Sequence, residues 1–193
     1  MSNNPKWPPK AAQARLPLAD DADMQSILAG PTANVPLINI FRALANAHSL
    51  APAFIGYFVH LFEPLELDAR IERLVVLLVA RESDCEYVWR QNVAVARNLG
   101  VSDEEIAATY DGDYDAPPFT AEQKAAFHFA KEAIAQIEVT DATYHTAQKH
   151  FSSRALTELL YVIGSYMFLC RLARTGRVPL DETPANLPPE LRR

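Results

Sequence analysis

Apolar side chains recur three and four positions apart through the middle of the chain, which is the spacing of one face of an α-helix. A helix is predicted after Asn39, and an apolar helix from Pro52 to about Phe62, which Pro64 stops. Asp68 is placed to cap a third helix, in which Leu74 to Ala80 form a continuous apolar run. Because a helix that is apolar on all sides avoids water, we expect this third helix at the centre of the fold.

Capping signals mark the beginnings of the later helices. Ser83 and Glu86 have the spacing of a capping box, which predicts a helix with Ser83 as its N-cap, running to Leu99 before Gly100. Similar signals predict four further helices, beginning near Ser102, Thr120, Asp141 and Ser153, with the Asp141 helix reaching His150 and the last ending near Gly176. No segment alternates as a strand does. Short connections favour antiparallel neighbours, so the sequence predicts a single-domain, all-α antiparallel helical bundle.

Prolines are concentrated at the two ends of the chain. Ten of the 14 prolines lie before residue 37 or after residue 178. Proline lacks a backbone donor and stops helices, so we expect an extended arm over residues 1–20 and an extended tail over residues 179–193. The helical domain is then expected to cover residues 21–178.

Composition limits the classes of function. Hydrophobic residues make up 49% of the chain, charged residues 22%, and the formal net charge is -6. Without a basic stripe, a nucleic-acid partner is not expected. No apolar run approaches the roughly 20 residues that span a bilayer, and the polar N-terminus does not resemble a signal peptide. With only two cysteines, the sequence predicts a cytoplasmic protein in a reducing compartment, with no membrane partner.

The strongest candidate for chemistry is a stripe along one helix face. Cys85, Val88 and Asn92 follow each other at steps of three and four, and Tyr87 and Trp89 flank them. The capping assignment makes Cys85 the second residue of its helix, where backbone N–H groups favour a thiolate. Acidic side chains near Cys85 would raise the pKa of its thiol, and nearby arginines would lower it. The direction of the Cys85 pKa shift therefore stays open.

Simpler interpretations compete with this one. Cys85 could be a small buried hydrophobe at a helix start, and Cys170, in an apolar helix, is expected to fill the core. The five histidines do not have the spacing of metal ligands on one face. No glycine-rich phosphate loop is present, so neither a metal nor an organic cofactor is predicted.

The stretch from Asp68 to Ala108, with its Cys-Glu-Tyr helix and its Gly-Val-Ser-Asp-Glu-Glu-Ile turn, resembles the core of the carboxymuconolactone decarboxylase and AhpD-type alkylhydroperoxidase family. The resemblance covers Pro36 to Arg174, including Asn-x-Phe-Arg-Ala-Leu at the start and Glu-Leu-x-x-x-x-Gly-x-Tyr in the last helix. It implies an AhpD-like bundle that assembles as a homo-oligomer, either a dimer, a trimer or a hexamer, with sites near subunit contacts.

For hydroperoxidase members, the resemblance implies a glutamate followed by Cys-x-x-Cys-x-x-x-His. Cys85 matches the first cysteine, Val88 replaces the second, and Asn92 replaces the histidine. The glutamate position holds Arg73, next to Glu72. Since valine is no nucleophile and asparagine does not titrate near neutral pH, a two-cysteine cycle within this motif is not expected. Oxidation of Cys85 alone would need an external thiol.

For decarboxylase members, the resemblance implies a pocket that binds a carboxylate and stabilises a dienolate. Asn92 is then expected to hold a carbonyl or a water, Arg73 to pair with a carboxylate, and Glu72 or Glu82 to supply a proton. Tyr87, Val88 and Trp89 are expected to contact the substrate. The alternative is that Glu72, Arg73 and Glu82 are ordinary solvated or helix-paired charges.

Three hypotheses follow. The favoured one is a cofactor-independent decarboxylase or lyase acting on a small organic acid. The second is a hydroperoxidase that uses one cysteine and an external thiol reductant. The third is a family member that binds a small ligand without catalysis.

Overall fold

The structure is a computed structural model that describes residues 13–28, 32–33, 35–61 and 63–182. All regular elements within these ranges are helices, which confirms the predicted all-α fold. They are α1 (Asp21–Ile27), α2 (Asn39–Leu44), α3 (Ala51–His60), α4 (Ala69–Glu82), α5 (Glu86–Asn98), α6 (Asp103–Asp111), α7 (Ala121–Gln136), α8 (Asp141–Ala147) and α9 (Ser153–Gly176).

Helix α4 lies at the centre of the fold, as its continuous apolar run predicts. Every residue from Ile71 to Ala80 is buried, and α5, α6, α7 and α9 all pack against the helix. Asp68 caps it by accepting hydrogen bonds from the backbone N–H groups of Arg70 and Ile71, at 2.9 and 3.1 Å. The side chains of α4 therefore reach the middle of the molecule.

Helix α9 is the longest described helix and the second main component of the core. It packs against α2, α4, α5 and α7. By length and composition alone it could cross a membrane, but 50% of its most apolar window is buried inside the fold. Core helices of globular proteins share this property, so α9 does not indicate a membrane protein.

The predicted beginning of α5 is wrong. Ser83 is the C-cap of α4, and its N–H still donates to Val79 O at 3.0 Å, so it is not an N-cap with a capping box to Glu86. Asp84 follows with a left-handed φ of 49°, and Cys85 is the N-cap of α5. The buried apolar run carries α4 further than the local capping signal suggests. The other two capping boxes, at Ser102 and Thr120, are confirmed.

The described parts of the two chain ends contact the helical body. Arg15 N donates to Gly176 O at 2.8 Å, and the Asp181 carboxylate accepts from Asn39 N at 2.8 Å. Most of the predicted arm and tail, residues 1–12 and 183–193, lies outside the described residues. The extended arms therefore stay a prediction.

A buried carboxylate joins three helices at one side of the bundle. Glu105 of α6 is 1% exposed. It accepts hydrogen bonds from Arg70 Nη2 of α4 at 2.5 Å, from Ser102 N at 2.8 Å and from Gln123 Nε2 of α7 at 3.1 Å. Because a buried carboxylate needs such partners, this network fixes α6 and α7 against α4.

We expect Glu105→Ala to lower the free energy of unfolding by about 2 kcal/mol, because charge-assisted hydrogen bonds are lost and their buried donors are left unsatisfied. Urea unfolding followed by circular dichroism measures this change. Asp103→Ala is the matched control, since Asp103 pairs with Arg97 on the exposed surface and should matter much less. Equal losses for the two variants would contradict the assigned role of Glu105.

Candidate functional site

A mostly apolar cavity opens between α2, α3, α5 and α9. Its cavity volume is about 60 Å³, and it opens to solvent at its mouth. Aliphatic and aromatic side chains form most of the wall, among them Val35, Ile40, Phe41, Phe58 and Leu169. The polar side chains that line it are Tyr87, Gln91, Asn92 and Tyr166. A small molecule bound here would meet few but specific hydrogen-bonding groups.

Asn92 and Tyr166, two of the polar side chains that line the cavity, form its floor, and a buried arginine hydrogen-bonds to both. Arg73 of α4 is 1% exposed. Its Nη1 donates to Asn92 Oδ1 of α5 at 2.6 Å and to the Tyr166 hydroxyl of α9 at 3.0 Å, so one cation connects three helices. Burial disfavours the charged form, but Tyr166 and Glu72 outweigh burial and raise the Arg73 pKa. The guanidinium therefore stays charged in the interior.

Two hydrogen-bond donors at the floor are available to a bound molecule. Tyr166 accepts its hydrogen bond from Arg73, and no described residue accepts the hydroxyl proton of Tyr166. Asn92 Nδ2 donates to Val88 O at 2.7 Å, which uses one of its two N–H groups. Burial raises the Tyr166 pKa, and Arg73 counteracts part of this rise. The hydroxyl is thus protonated, with a cation behind it.

Glu72 lies next to Arg73 but faces a different hollow. Its Oε1 accepts from Arg73 Nη2 at 3.3 Å, and the residue is 5% exposed. Burial raises its pKa, and the nearby Arg73 charge lowers it less. Glu72 lines a separate polar hollow together with Glu66 and Asp68 and does not line the apolar cavity. A direct proton transfer from Glu72 to a molecule in the cavity is therefore not supported by this geometry.

The rim of the cavity is fixed by a residue near the end of the described chain. Asp181 accepts hydrogen bonds from the Tyr87 hydroxyl and from Gln91 Nε2, the latter at 2.7 Å. Tyr87 in turn accepts from Ile40 N at 3.1 Å. Burial and the Asp181 carboxylate raise the pKa of Tyr87. Tyr87 and Gln91 thus serve as anchors that hold residues 179–181 along the rim.

Cys85 lies outside the cavity wall, buried at the N-cap of α5 with 1% exposure. Its pKa is lowered, first by a hydrogen bond with the Cys170 side chain. Burial opposes this effect, while the backbone N–H groups of Val88 and Tyr87 and the charge of Arg174 support it. The direction of the shift, which the sequence left open, is therefore toward the thiolate.

Comparison with known proteins gives a family match over part of the chain and a shared fold. Residues 50–132 match the carboxymuconolactone decarboxylase family. The fold is similar to that of an uncharacterized peroxidase-related protein from Silicibacter sp. TM1040, with a TM-score of 0.73, 19% identity and coverage of 90% of this chain and 95% of that chain. Residues 50–132 thus carry the sequence pattern of the carboxymuconolactone decarboxylase family, and the chain has an AhpD-like fold. None of the curated proteins compared with it matches significantly.

Two further solved structures share the AhpD-like fold of this chain. An uncharacterized peroxidase-related protein with an alkylhydroperoxidase AhpD core, from Ralstonia eutropha JMP134, gives a TM-score of 0.72 at 19% identity, covering 88% of this chain and 93% of that chain. The debrominase Bmp8, in a cysteine-to-alanine variant bound to 2,3,4-tribromopyrrole, gives 0.66 at 16% identity, covering 84% and 83%. At these identities the similarity shows the fold, which confirms the predicted AhpD-like bundle.

The remaining residues of the predicted site fall into two groups. Val88 lines the cavity beside Asn92. Trp89 packs edge-to-face on Tyr110, and Glu82, which is exposed, accepts a hydrogen bond from the Tyr114 hydroxyl at 2.7 Å. Neither Trp89 nor Glu82 lines the cavity. In the described part of the chain, no three histidine, cysteine or acidic side chains form a cluster that could hold a metal ion.

The sequence interpretation assigned no chemistry to Tyr166 or Asp181. Tyr166 stands in an apolar helix, where a buried tyrosine needs a partner for its hydroxyl. That need was a usable signal, although the partner Arg73 lies 93 positions away. Asp181 belongs to the predicted tail, and nothing local indicates that it reaches Tyr87.

We expect Glu72→Gln to change how stability depends on pH. An unfolded glutamate ionises near its ordinary pKa of 4.5, whereas folded Glu72 retains its proton to a higher pH. Above pH 4.5 the folded chain therefore binds more protons at this site, and Glu72 reduces stability as the pH rises, by up to about 1.4 kcal/mol per pH unit.

Urea unfolding of both proteins between pH 4.5 and pH 8 measures this effect. The unfolding free energy of the wild type should fall relative to that of Glu72→Gln as the pH rises. Glu138→Gln, at an exposed position, serves as the control and should run parallel to the wild type. A wild-type stability that rises relative to Glu72→Gln would mean that the Arg73 charge outweighs burial.

Proposed function

We propose that the cavity binds a small, largely apolar organic acid and that the protein is a cofactor-independent lyase of the decarboxylase type. The observation that carries this proposal is the placement of Arg73 behind Asn92 and Tyr166. One buried cation hydrogen-bonds to both polar groups at the cavity floor. Their two free donor hydrogens then form a binding site for an oxyanion.

The electrostatics of the floor suit charge that develops during a reaction. When a carboxylate leaves as carbon dioxide, the electron pair of the broken C–C bond moves onto a conjugated carbonyl oxygen. Donors that are fixed in advance, in a site of low dielectric, stabilise such an oxyanion without reorganising. Tyr166 and Asn92 supply the donors, and Arg73 supplies a permanent positive charge. The carbanion equivalent is then protonated from solvent through the open mouth.

The same arrangement argues against the peroxidase proton relay of this family. Asn92 is engaged with Arg73 through Oδ1 and with Val88 O through Nδ2. Neither asparagine nor a buried arginine exchanges protons near neutral pH. A fixed positive charge therefore stands where the relay would need titrating groups. Bmp8, which has a similar fold, binds a small ring compound, and this agrees with a small apolar occupant.

A non-catalytic anion-binding protein is the second candidate. It is favoured by the absence of any carboxylate or imidazole among the residues that line the described cavity. The lyase and the binding protein share the same oxyanion site, so they differ in turnover but not in ligand affinity. We further propose that the protein is cytoplasmic and self-associates.

Self-association has a plausible surface, although it stays a prediction. Large exposed hydrophobic side chains occur at the beginning of α3 and along α9. They are Leu50, immediately before α3, and Leu160, Tyr161 and Phe168 of α9. Burial of these side chains in a homo-oligomer would remove apolar surface from water.

We expect Tyr166→Phe to lower the kcat for loss of carbon dioxide from a substrate lactone acid by roughly 100-fold, because one oxyanion donor is removed. A panel of small lactone acids, assayed for carbon dioxide release, identifies the substrate. Asn92→Asp should be at least as damaging, because a new carboxylate would pair with Arg73 and repel the oxyanion.

Tyr161→Phe is the matched control, since Tyr161 is exposed on the same helix and does not line the cavity. Its kcat should equal that of the wild type. If no acid in the panel is turned over but several bind, with affinity lost in Tyr166→Phe, the binding-protein candidate replaces the lyase. If wild type and Tyr166→Phe behave alike in both assays, the oxyanion site is wrong.

A further inference from the structure

The two cysteines of the chain, which are far apart in sequence, lie against each other in the fold. Cys85 is the N-cap of α5, and Cys170 lies in the second half of α9. Their side chains are close enough for each thiol to change the pKa of the other, and each residue is 1% exposed. Both thiols are free. The sequence analysis treated Cys170 only as core filling, so this contact is unexpected.

Contacts on either side of the two cysteines fix the position of α9 against the turn before α5. Arg174 lies one turn after Cys170, and its Nη1 donates to Ser83 O at 2.8 Å. Its Nη2 forms an ion pair with Asp84 Oδ2 at 3.3 Å. These contacts hold the 83–85 segment beside residues 170–174 of α9. The two cysteines therefore lie on segments that these contacts hold side by side.

The two thiols have different environments. The N–H groups at the beginning of α5 and the Arg174 charge stabilise a negative charge on Cys85. Cys170 has its pKa raised, first by the hydrogen bond with Cys85 and then by burial. Cys85 is thus the nucleophile of the pair, and Cys170 keeps its proton and donates it toward the Cys85 sulfur.

We propose that Cys85 and Cys170 form a dithiol that a small hydroperoxide oxidises to an intramolecular disulfide between α5 and α9. This inference is independent of the lyase proposal. It also differs from a pair of cysteines within one helical motif, because the second thiol comes from another helix.

The chemistry balances with hydrogen peroxide as the oxidant. The Cys85 thiolate attacks one peroxide oxygen and the O–O bond breaks. The leaving hydroxide takes up from solvent the proton that Cys85 released on ionising and departs as water, which gives a sulfenic acid at Cys85. The Cys170 sulfur then attacks the Cys85 sulfur, the S–O bond breaks, and the second hydroxide leaves with the Cys170 proton as water. Two thiols lose two electrons, and one peroxide becomes two waters.

Access limits which oxidants can react. Val88 and Leu169 line the cavity, and Leu169 is the chain neighbour of Cys170 while Val88 lies one turn after Cys85. The cavity wall therefore includes a residue close in sequence to each cysteine. Since the thiols themselves are almost fully buried, we expect hydrogen peroxide to oxidise the pair faster than the bulky cumene hydroperoxide does.

The test uses the full-length native protein. It is treated with excess hydrogen peroxide, quenched in acid, unfolded and alkylated with iodoacetamide, and its mass is measured before and after digestion. We expect a monomer that has lost two hydrogen atoms, takes up no alkyl group, and yields a linked peptide containing Cys85 and Cys170. In Cys170→Ser, dimedone should trap a sulfenic acid at Cys85. In Cys85→Ser, Cys170 should stay alkylatable over the same time.

Wild type unfolded in urea serves as the reference for a chain without fixed thiol contacts. The proposal is overturned if both thiols of the native protein stay alkylatable under conditions that fully oxidise the unfolded chain. It is also overturned if the disulfides formed link two chains, or if Cys170 in Cys85→Ser is oxidised as fast as Cys85 in Cys170→Ser. The wild-type measurement decides the matter even if a serine variant does not fold.

Discussion

The charge of Arg73, buried almost completely inside a helical bundle, is the constraint on which the rest of the site depends. A guanidinium removed from water is costly unless its N–H groups are satisfied. Here Asn92 of α5, Tyr166 of α9 and Glu72 of α4 itself accept from it. The need to satisfy one cation therefore brings three helices together and places two polar side chains at the floor of an otherwise apolar cavity.

The same constraint separates this chain from the peroxidase members that its motif resembles. There, the resemblance implies a glutamate and a histidine that exchange protons beside two thiols. Here, Arg73 and Asn92 occupy those positions and hydrogen-bond to each other. Two groups that would exchange protons are thus replaced by a permanent positive charge and an amide, which do not. Cys85 lies beside Cys170 of α9 and has no second cysteine on its own helix, and this pair is the basis of the dithiol that we propose.

Much of the fold could be predicted from the sequence, because its signals are local. The apolar run in α4 indicated a central helix, and two capping boxes gave correct helix starts. At Ser83 the local signal failed, since burial of α4 extends that helix past a competing cap. The site was harder to predict. Val88 and Asn92, which line the cavity, were found by helical spacing, whereas the partner of Tyr166 and the position of Asp181 depend on tertiary contacts that no local pattern records.

The central claim, that a permanent positive charge supports an oxyanion site, is tested most directly by the ionisation of a bound phenol. 4-Nitrophenol can be titrated by absorbance in the cavity, with Arg73→Met as the comparison. The account predicts that the wild type binds the phenolate more tightly than the phenol, which lowers the pKa of the bound ligand below that of free 4-nitrophenol. A raised pKa, as an uncharged apolar cavity would give, or the same pKa in Arg73→Met, would contradict it.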